Sequence, residues 1–233
     1  MRYSRQTIME CIGDKGQKRL SNAKVAVIGA GGLGCFVLNE LALAGVGYIR
    51  IIEDDNVSLT NLNRQFIYKE SDISNSKVKV AVNYLRERNG LVELDGVEER
   101  LTEANATELL KNIDIVVDCV DNVETRMIVN DYCVDNDIPL VEAAVNGLHG
   151  FVMAIRKNYP CLRCIGYENT KLKGINEAIG AAVGIVASIE ALEVIKIIVG
   201  MDELLFGNML MIDCNDYSIE KVPLRLSDEC RRH

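Results

Sequence analysis

The chain has 233 residues, 48% hydrophobic and 26% charged, enough for one domain with an ample core. Its formal net charge of −8 argues against nucleic acid or an anionic membrane as partner. The opening Met1-Arg-Tyr-Ser-Arg5-Gln is too polar for a secretory leader, and the longest apolar stretch, 178–199, carries Ser188, Glu190, Glu193 and Lys196; a soluble cytoplasmic protein is expected.

Residues 1–23 are polar, helical in pattern and cationic, with Arg2, Arg5, Lys15, Lys18 and Arg19. On composition alone they read as a solvated arm. The stretch from Lys24 to Gly34, KVAVIGAGGLG, organises the rest of the chain: a buried strand runs into Gly29, Gly31, Gly32 and Gly34, and a helix from Leu33 to Ala44 begins there. Such a turn lets a phosphate approach backbone N–H groups at a helix N-terminus, so it predicts a nucleotide or dinucleotide site. Tyr48 to Ile52 reads as the second strand of a βαβ unit and ends on Glu53-Asp54-Asp55, with Glu53 where an acid would grip ribose hydroxyls.

A polar loop with Asn61, Arg64 and Gln65 comes next, and Lys77 opens a helix to about Arg88. Strands are predicted at 91–98, at 114–120 ending on Asp121-Asn122, and at 139–145; a helix spans 124–136, and 147–155 begins an antiparallel extension. The alternation predicts an α/β fold: a Rossmann-like, doubly wound, mostly parallel sheet with an antiparallel C-terminal extension. Ligands of such sheets sit outside the carboxyl ends of the strands. The glycine loop, the 53–55 acids, Asp121 and the residues near Ala144 should therefore share one pocket, with Arg64 and Lys77 at the same edge. Two cations and an acid placed for a divalent metal exceed what a dinucleotide needs, and the set leans toward Mg-ATP.

Several ordered motifs carry a family resemblance: RYSRQ, GAGGLG, the acidic strand end, TNLNRQ, SKVKVA, VDCVDNVETR and PCLRC. Together they resemble the ubiquitin-activating-enzyme-like adenylyltransferases of the ThiF/MoeB/HesA type, over essentially the whole chain. The resemblance implies one adenylyltransferase domain over 1–233, its nucleotide part about 20–145 and its carrier-binding part about 146–233. It implies a homodimer that uses Mg-ATP to adenylate the C-terminal glycine carboxylate of a small ubiquitin-like sulfur-carrier protein ending in Gly-Gly. By the same resemblance Gly29, Gly31, Gly32 and Gly34 surround the phosphates, and Glu53, beside Asp55, replaces the usual ribose-binding aspartate. Asn61, Arg64, Gln65 and Lys77 match the phosphate-binding set, Asp121 the magnesium ligand, and Arg5 an arginine that reaches the partner subunit's site, which displaces the solvated-arm reading. The catalytic set implied is Arg5, Arg64, Lys77 and Asp121. The attacking carboxylate is already ionised at neutral pH, so no general base is required, and His149 is read as structural or exposed.

Cys161-x-x-Cys164 has structural-zinc spacing. The family pattern has a second CxxC near the C-terminus, where this chain has Cys230-Arg-Arg-His233, and a Cys₃His zinc site is expected; a metal-free thiol pair is the alternative. Cys35, Cys119 and Cys133 read as small buried hydrophobes. Many relatives carry a cysteine in the loop before the long C-terminal helix. Here 167–176 has none, with Lys173 near the matching position, so adenylation without a covalent enzyme–carrier step is expected. The small residues Gly180, Ala181, Gly184 and Ala187 suit close helix packing, within the chain or across a dimer. Two other functions stay open: a peptide adenylyltransferase of the same fold, and an NAD-binding oxidoreductase or redox module.

Overall fold

The computed structural model describes residues 2–170, 177–230 and 232. The N-terminal segment folds as two short helices, α1 (Ser4–Thr7) and α2 (Gly13–Asn22). It is no free arm: the Tyr3 hydroxyl accepts from Asn89 at 2.8 Å, and Arg19 donates to the carbonyl of Val199, far along the chain.

The strands form one eight-stranded sheet, in the order β3-β2-β1-β4-β5-β6-β7-β8. They are β1 (Lys24–Ile28), β2 (Tyr48–Ile52), β3 (Glu93–Val97), β4 (Ile115–Asp118), β5 (Leu140–Asn146), β6 (His149–Ile155), β7 (Asn208–Asp213) and β8 (Ser218–Pro223). The first five pair in parallel and the last three continue antiparallel, as the strand–helix alternation predicted. The helices between them are α3 (Gly32–Ala44), α4 (Lys77–Arg88), α5 (Ala106–Leu109), α6 (Val123–Asp135) and α7 (Gly180–Val199).

The period of two along β1 explains the two cores. Val25 and Val27 face one way and join a core with residues of α3, α4 and α7. Ala26 and Ile28 face the other way and join Met127, Val129 and Cys133 of α6. Parallel strands covered on both faces read as continuous apolar runs, which is how β1 and β4 appear in the sequence. Part of the small-residue stripe of α7 packs inside the chain: a methyl group at Gly184 would lie 3.0 Å from the Phe36 ring of α3 and Ala187 is buried, whereas Ala181 is exposed. Cys35, Cys119 and Cys133 are buried in these cores, as expected. None of the described helices is long and apolar enough to cross a membrane.

Candidate active site

The carboxyl ends of β1, β2, β4 and β5 open into a cavity of about 820 Å³. Gly29, Gly31, Gly32, Glu53, Asp55, Asn61, Arg64, Gln65, Lys77 and Asp121 all line it. Arg5 stands exposed on α1 and does not line it, and Gly34 lies just inside α3.

The glycine turn is tight enough to demand its residues. Gly29 has φ +93°, and a Cβ at Gly34 would stand 2.1 Å from the Gly29 carbonyl oxygen. Between them the Ala30 peptide is fixed on both sides. Its N–H donates to Glu53 Oε2 at 2.8 Å, and its carbonyl accepts from the Tyr68 hydroxyl at 2.8 Å. Glu53 Oε1 takes the Asp55 N–H at 2.8 Å. Glu53 therefore spans from its own strand end to the glycine turn, each oxygen holding one backbone amide. A carboxylate has lone pairs to spare for a hydroxyl ligand. Tyr68 carries no mark in the sequence beyond its position in a loop, so its part in fixing the turn emerges only in the fold.

The loop 56–76 presents the polar set. Asn61 Oδ1 accepts the Ser58 N–H at 3.0 Å and shapes a turn, Leu59–Asn61. Arg64 donates to the Thr60 carbonyl and to Asn63 Oδ1, each at 3.0 Å, and lies against Gly32. Gln65 is 3% exposed, its Nε2 faces Gly31, and its Oε1 is buried with no hydrogen-bond partner. A buried orphan acceptor beside a phosphate-type loop fits a ligand that brings its own donor. Lys77 is 4% exposed and its Nζ lies 2.9 Å from Asp55 Oδ2. A nearly buried ammonium lining the same cavity as the glycine loop suits a strongly anionic ligand. Asp121 is exposed at the cavity edge, where its carboxylate is open to solvent and to a cation.

Around Arg126, which lines the cavity, lies a buried cluster; Asp118 and Arg126 fall within the VDCVDNVETR motif, whereas Glu142 and Glu190 fall in none. Asp118, Glu142 and Glu190 are fully buried, with Arg126 (3% exposed) among them. Arg126 forms an ion pair with Glu142 and lies 4.0 Å from Asp118 Oδ2. Burial pushes the Glu142 and Glu190 carboxyls well above the usual range, with Asp118 adding to the effect in both. The available signal was charge inside apolar runs: Glu142 in the strand LVEAAV, and Glu190 in the helix segment IVASIEAL.

The cavity continues past Ala144 and Asn146 to Phe151, Tyr167 and Met211 on the antiparallel side. Phe151 and Tyr167 meet edge-on with ring centroids 6.1 Å apart. His149 lines this end, with its side chain 66% exposed and Nδ1 3.4 Å from Asp213, in keeping with the exposed reading.

A second constellation sits away from the cavity. The Cys161 Sγ lies 3.9 Å from Cys164 Sγ and 3.7 Å from Cys230 Sγ. Two thiolates on one tetrahedral zinc ion at ~2.3 Å stand ~3.8 Å apart, whereas a disulfide needs ~2.05 Å. The three thiols thus have the spacing of metal ligands. Burial raises the metal-free Cys161 thiol to about 12. Arg232 and Arg163 both reach Asp131, at 2.9 and 2.6 Å, and tie the tail to α6. The expected fourth ligand, His233, and the position near Lys173 lie outside the described residues.

Residues 3–232 match the model of the ThiF family. The chain is 42% identical over 230 residues to adenylyltransferase and sulfurtransferase MOCS3 of Culex quinquefasciatus, covering 96% of this chain and 52% of that protein. It is 35% identical to the SAMP-activating enzyme E1 of Haloferax volcanii (98% and 87% covered) and 36% identical to the sulfur carrier protein adenylyltransferase of Thermus thermophilus (98% and 89%). The chain spans about half the length of the MOCS3 relatives it matches. Among solved structures, E. coli MccB with ATP superimposes with a TM-score of 0.87 at 26% identity, covering 99% of this chain and 73% of that one. Family model, relatives and fold agree: the chain belongs to the ThiF family.

Proposed function

We propose that this protein uses Mg-ATP to adenylate the C-terminal carboxylate of a small ubiquitin-like sulfur-carrier protein ending in Gly-Gly, releasing pyrophosphate. The observation that carries the reading is the convergence of Arg64, Gln65, Lys77 and Asp121 on the glycine loop in one cavity. The names of the Haloferax and Thermus relatives, each matched over nearly all of its length, support the substrate class. The ATP-bound MccB structure supports the nucleotide.

In this reading the carrier's carboxylate oxygen attacks the α-phosphorus, and the bond to the β-phosphate breaks with its electron pair leaving on pyrophosphate. The barrier is the approach of anions, so the chain's task is positioning and charge. The glycine-loop N–H groups hold phosphate oxygens, Glu53 takes the ribose, and Arg64 and Lys77 face the phosphates. Arg5 is exposed on α1 and enters the site of a second copy in a homodimer. Asp121 would hold magnesium, which would supply further charge neutralisation on the phosphates. Cys161, Cys164 and Cys230, with His233 as the fourth ligand, would hold a zinc ion that would staple the C-terminal tail to the loop before the long helix and take no part in the chemistry. The loop 167–176 contains no cysteine, so the adenylate leaves without a covalent enzyme–carrier bond, for a free sulfur donor or another protein.

ATP–pyrophosphate exchange tests the reading. Exchange should appear only when a small protein ending in Gly-Gly is added; its absence with every such carrier refutes the substrate. The MccB structures with the MccA peptide favour a second reading, adenylation of a short peptide terminus. Exchange with a peptide alone would select it.

A further inference from the structure

We propose that Arg126, assigned no part in the reaction above, is the positioning residue that fixes Asp121 for magnesium. The inference rests on the adenylyltransferase reading and concerns how that site is held.

Asp121 sits on a loop at the end of β4, exposed and carrying a carboxylate that must meet a metal at a defined place. The residue before it is pinned on both sides. The Val120 N–H donates to Asp118 Oδ1 at 2.9 Å, and the Val120 carbonyl accepts from Arg126 Nη2 at 2.6 Å. That carbonyl belongs to the peptide bond joining Val120 to Asp121, so Arg126 sets the plane from which Asp121 departs. The residue after it is also held, because Asn122 Oδ1 caps α6 by accepting the Thr125 N–H at 2.9 Å.

Arg126 can hold Val120 only because it is itself anchored. Its Nη1 pairs with Glu142 of β5, and its guanidinium lies 5.4 Å from the Tyr167 ring centroid. One planar fork thus joins the Asp121 loop, the neighbouring strand and the wall of the cavity's far arm. A lysine has a single point of contact and cannot bridge Val120 and Glu142 in the same way. The surrounding chemistry explains why a cation must stand here: Asp118 and Glu142 are fully buried, and each leaves one oxygen without a hydrogen-bond partner. Charge balance alone would be met by any cation. The bond to the Val120 carbonyl is the feature that balance does not require.

Two variants test this, Arg126→Lys and Glu142→Leu. The second removes the anchor but leaves Asp118, 4.0 Å from Arg126, to balance the guanidinium. The ligand-free readout is amide hydrogen exchange at 120–122. It should accelerate at least 10-fold relative to the strands in both variants, with the larger change in Arg126→Lys. In carrier-dependent pyrophosphate exchange, kcat should fall at least 10-fold in Arg126→Lys, the magnesium concentration for half-maximal rate should rise, and KM for ATP should stay within threefold. If Arg126→Lys does not fold, Glu142→Leu carries the test alone, with kcat down threefold to tenfold. Unchanged exchange at 120–122 together with an unchanged magnesium requirement in the folded variants overturns the proposal. A wild-type protein that shows no pyrophosphate exchange overturns the adenylyltransferase reading instead, while the amide exchange still reports on the loop.

Discussion

The two halves of this molecule are built by different means. Up to β5 the chain is a parallel sheet covered on both faces, and its site groups hang from strand ends whose positions the sheet fixes. Beyond β5 the strands are antiparallel, β8 is largely exposed, and the tail is held by thiols and by ion pairs to α6. The first half gains its precision from burial; in the second, β6 and α7 are buried in the same cores, and β8 and the tail lean on a few specific cross-links. On the proposed reading the phosphate-binding groups belong to the first half, and loss of a link in the C-terminal tail should leave them in place.

The sharpest way to break this contrast is to remove a charge from the first half. Lys77→Ala should lower carrier-dependent pyrophosphate exchange by about 10²–10³, the usual loss for one group that stabilises transition-state charge, with circular dichroism unchanged. A smaller loss would mean that the buried ammonium is there mainly for Asp55. Next is sharing of the site between copies. Arg5→Ala and Asp121→Ala proteins, each inactive alone, should recover about a quarter of wild-type exchange when mixed, since half the dimers are mixed and each has one intact site. No recovery, with mixed dimers shown by native mass spectrometry, places Arg5 outside the partner's site.

The C-terminal half should answer in stability instead of rate. Cys161→Ser, or stripping with a chelator, should lower Tm by roughly 5 °C or more and leave kcat within about twofold. A loss of exchange equal to that of Lys77→Ala would show that the halves are not separable. The smallest effect expected is at Glu190. Its carboxyl is pushed upward first by burial and then by Asp118, so folding keeps protonated a group that the unfolded chain ionises above its ordinary value of 4.5. Folding thus loses stability as pH rises from that value toward the raised one, and below it the cost vanishes. Glu190→Gln should therefore raise Tm more at pH 8 than at pH 5, by differential scanning calorimetry.

Most of the first half was legible in the sequence because its signals are local. KVAVIGAGGLG is a strand, a turn and a helix start in eleven consecutive residues, and β1 and α3 form there. Lys77 opens a helix, and α4 begins on it. The strand-end rule then brought Arg64, Lys77 and Asp121 together, although they are far apart in the chain, and Gln65 came only from the family resemblance. The cluster around Arg126 was not legible, because it depends on register. Asp118, Glu142 and Arg126 meet only once β4 pairs with β5, Asp118 opposite Glu142, and α6 lies across them. The Cys161–Cys230 contact was legible only as spacing, since residues 69 apart give no local sign of meeting. The strands β7 and β8 were legible only as an antiparallel extension without bounds. Their side chains, Met211 and Ile219 among them, are too exposed to give a clear alternation.

The central claim is that the cavity breaks ATP between its α- and β-phosphates on a carboxylate. Incubation with a carrier ending in Gly-Gly and ATP labelled at either the α- or the γ-phosphate tests it most directly. The account expects the α-label to move onto the carrier's C-terminal glycine and the γ-label to appear in pyrophosphate, in equal amounts. Release of the γ-label as orthophosphate, with the α-label left in ADP and the carrier unlabelled, would contradict it.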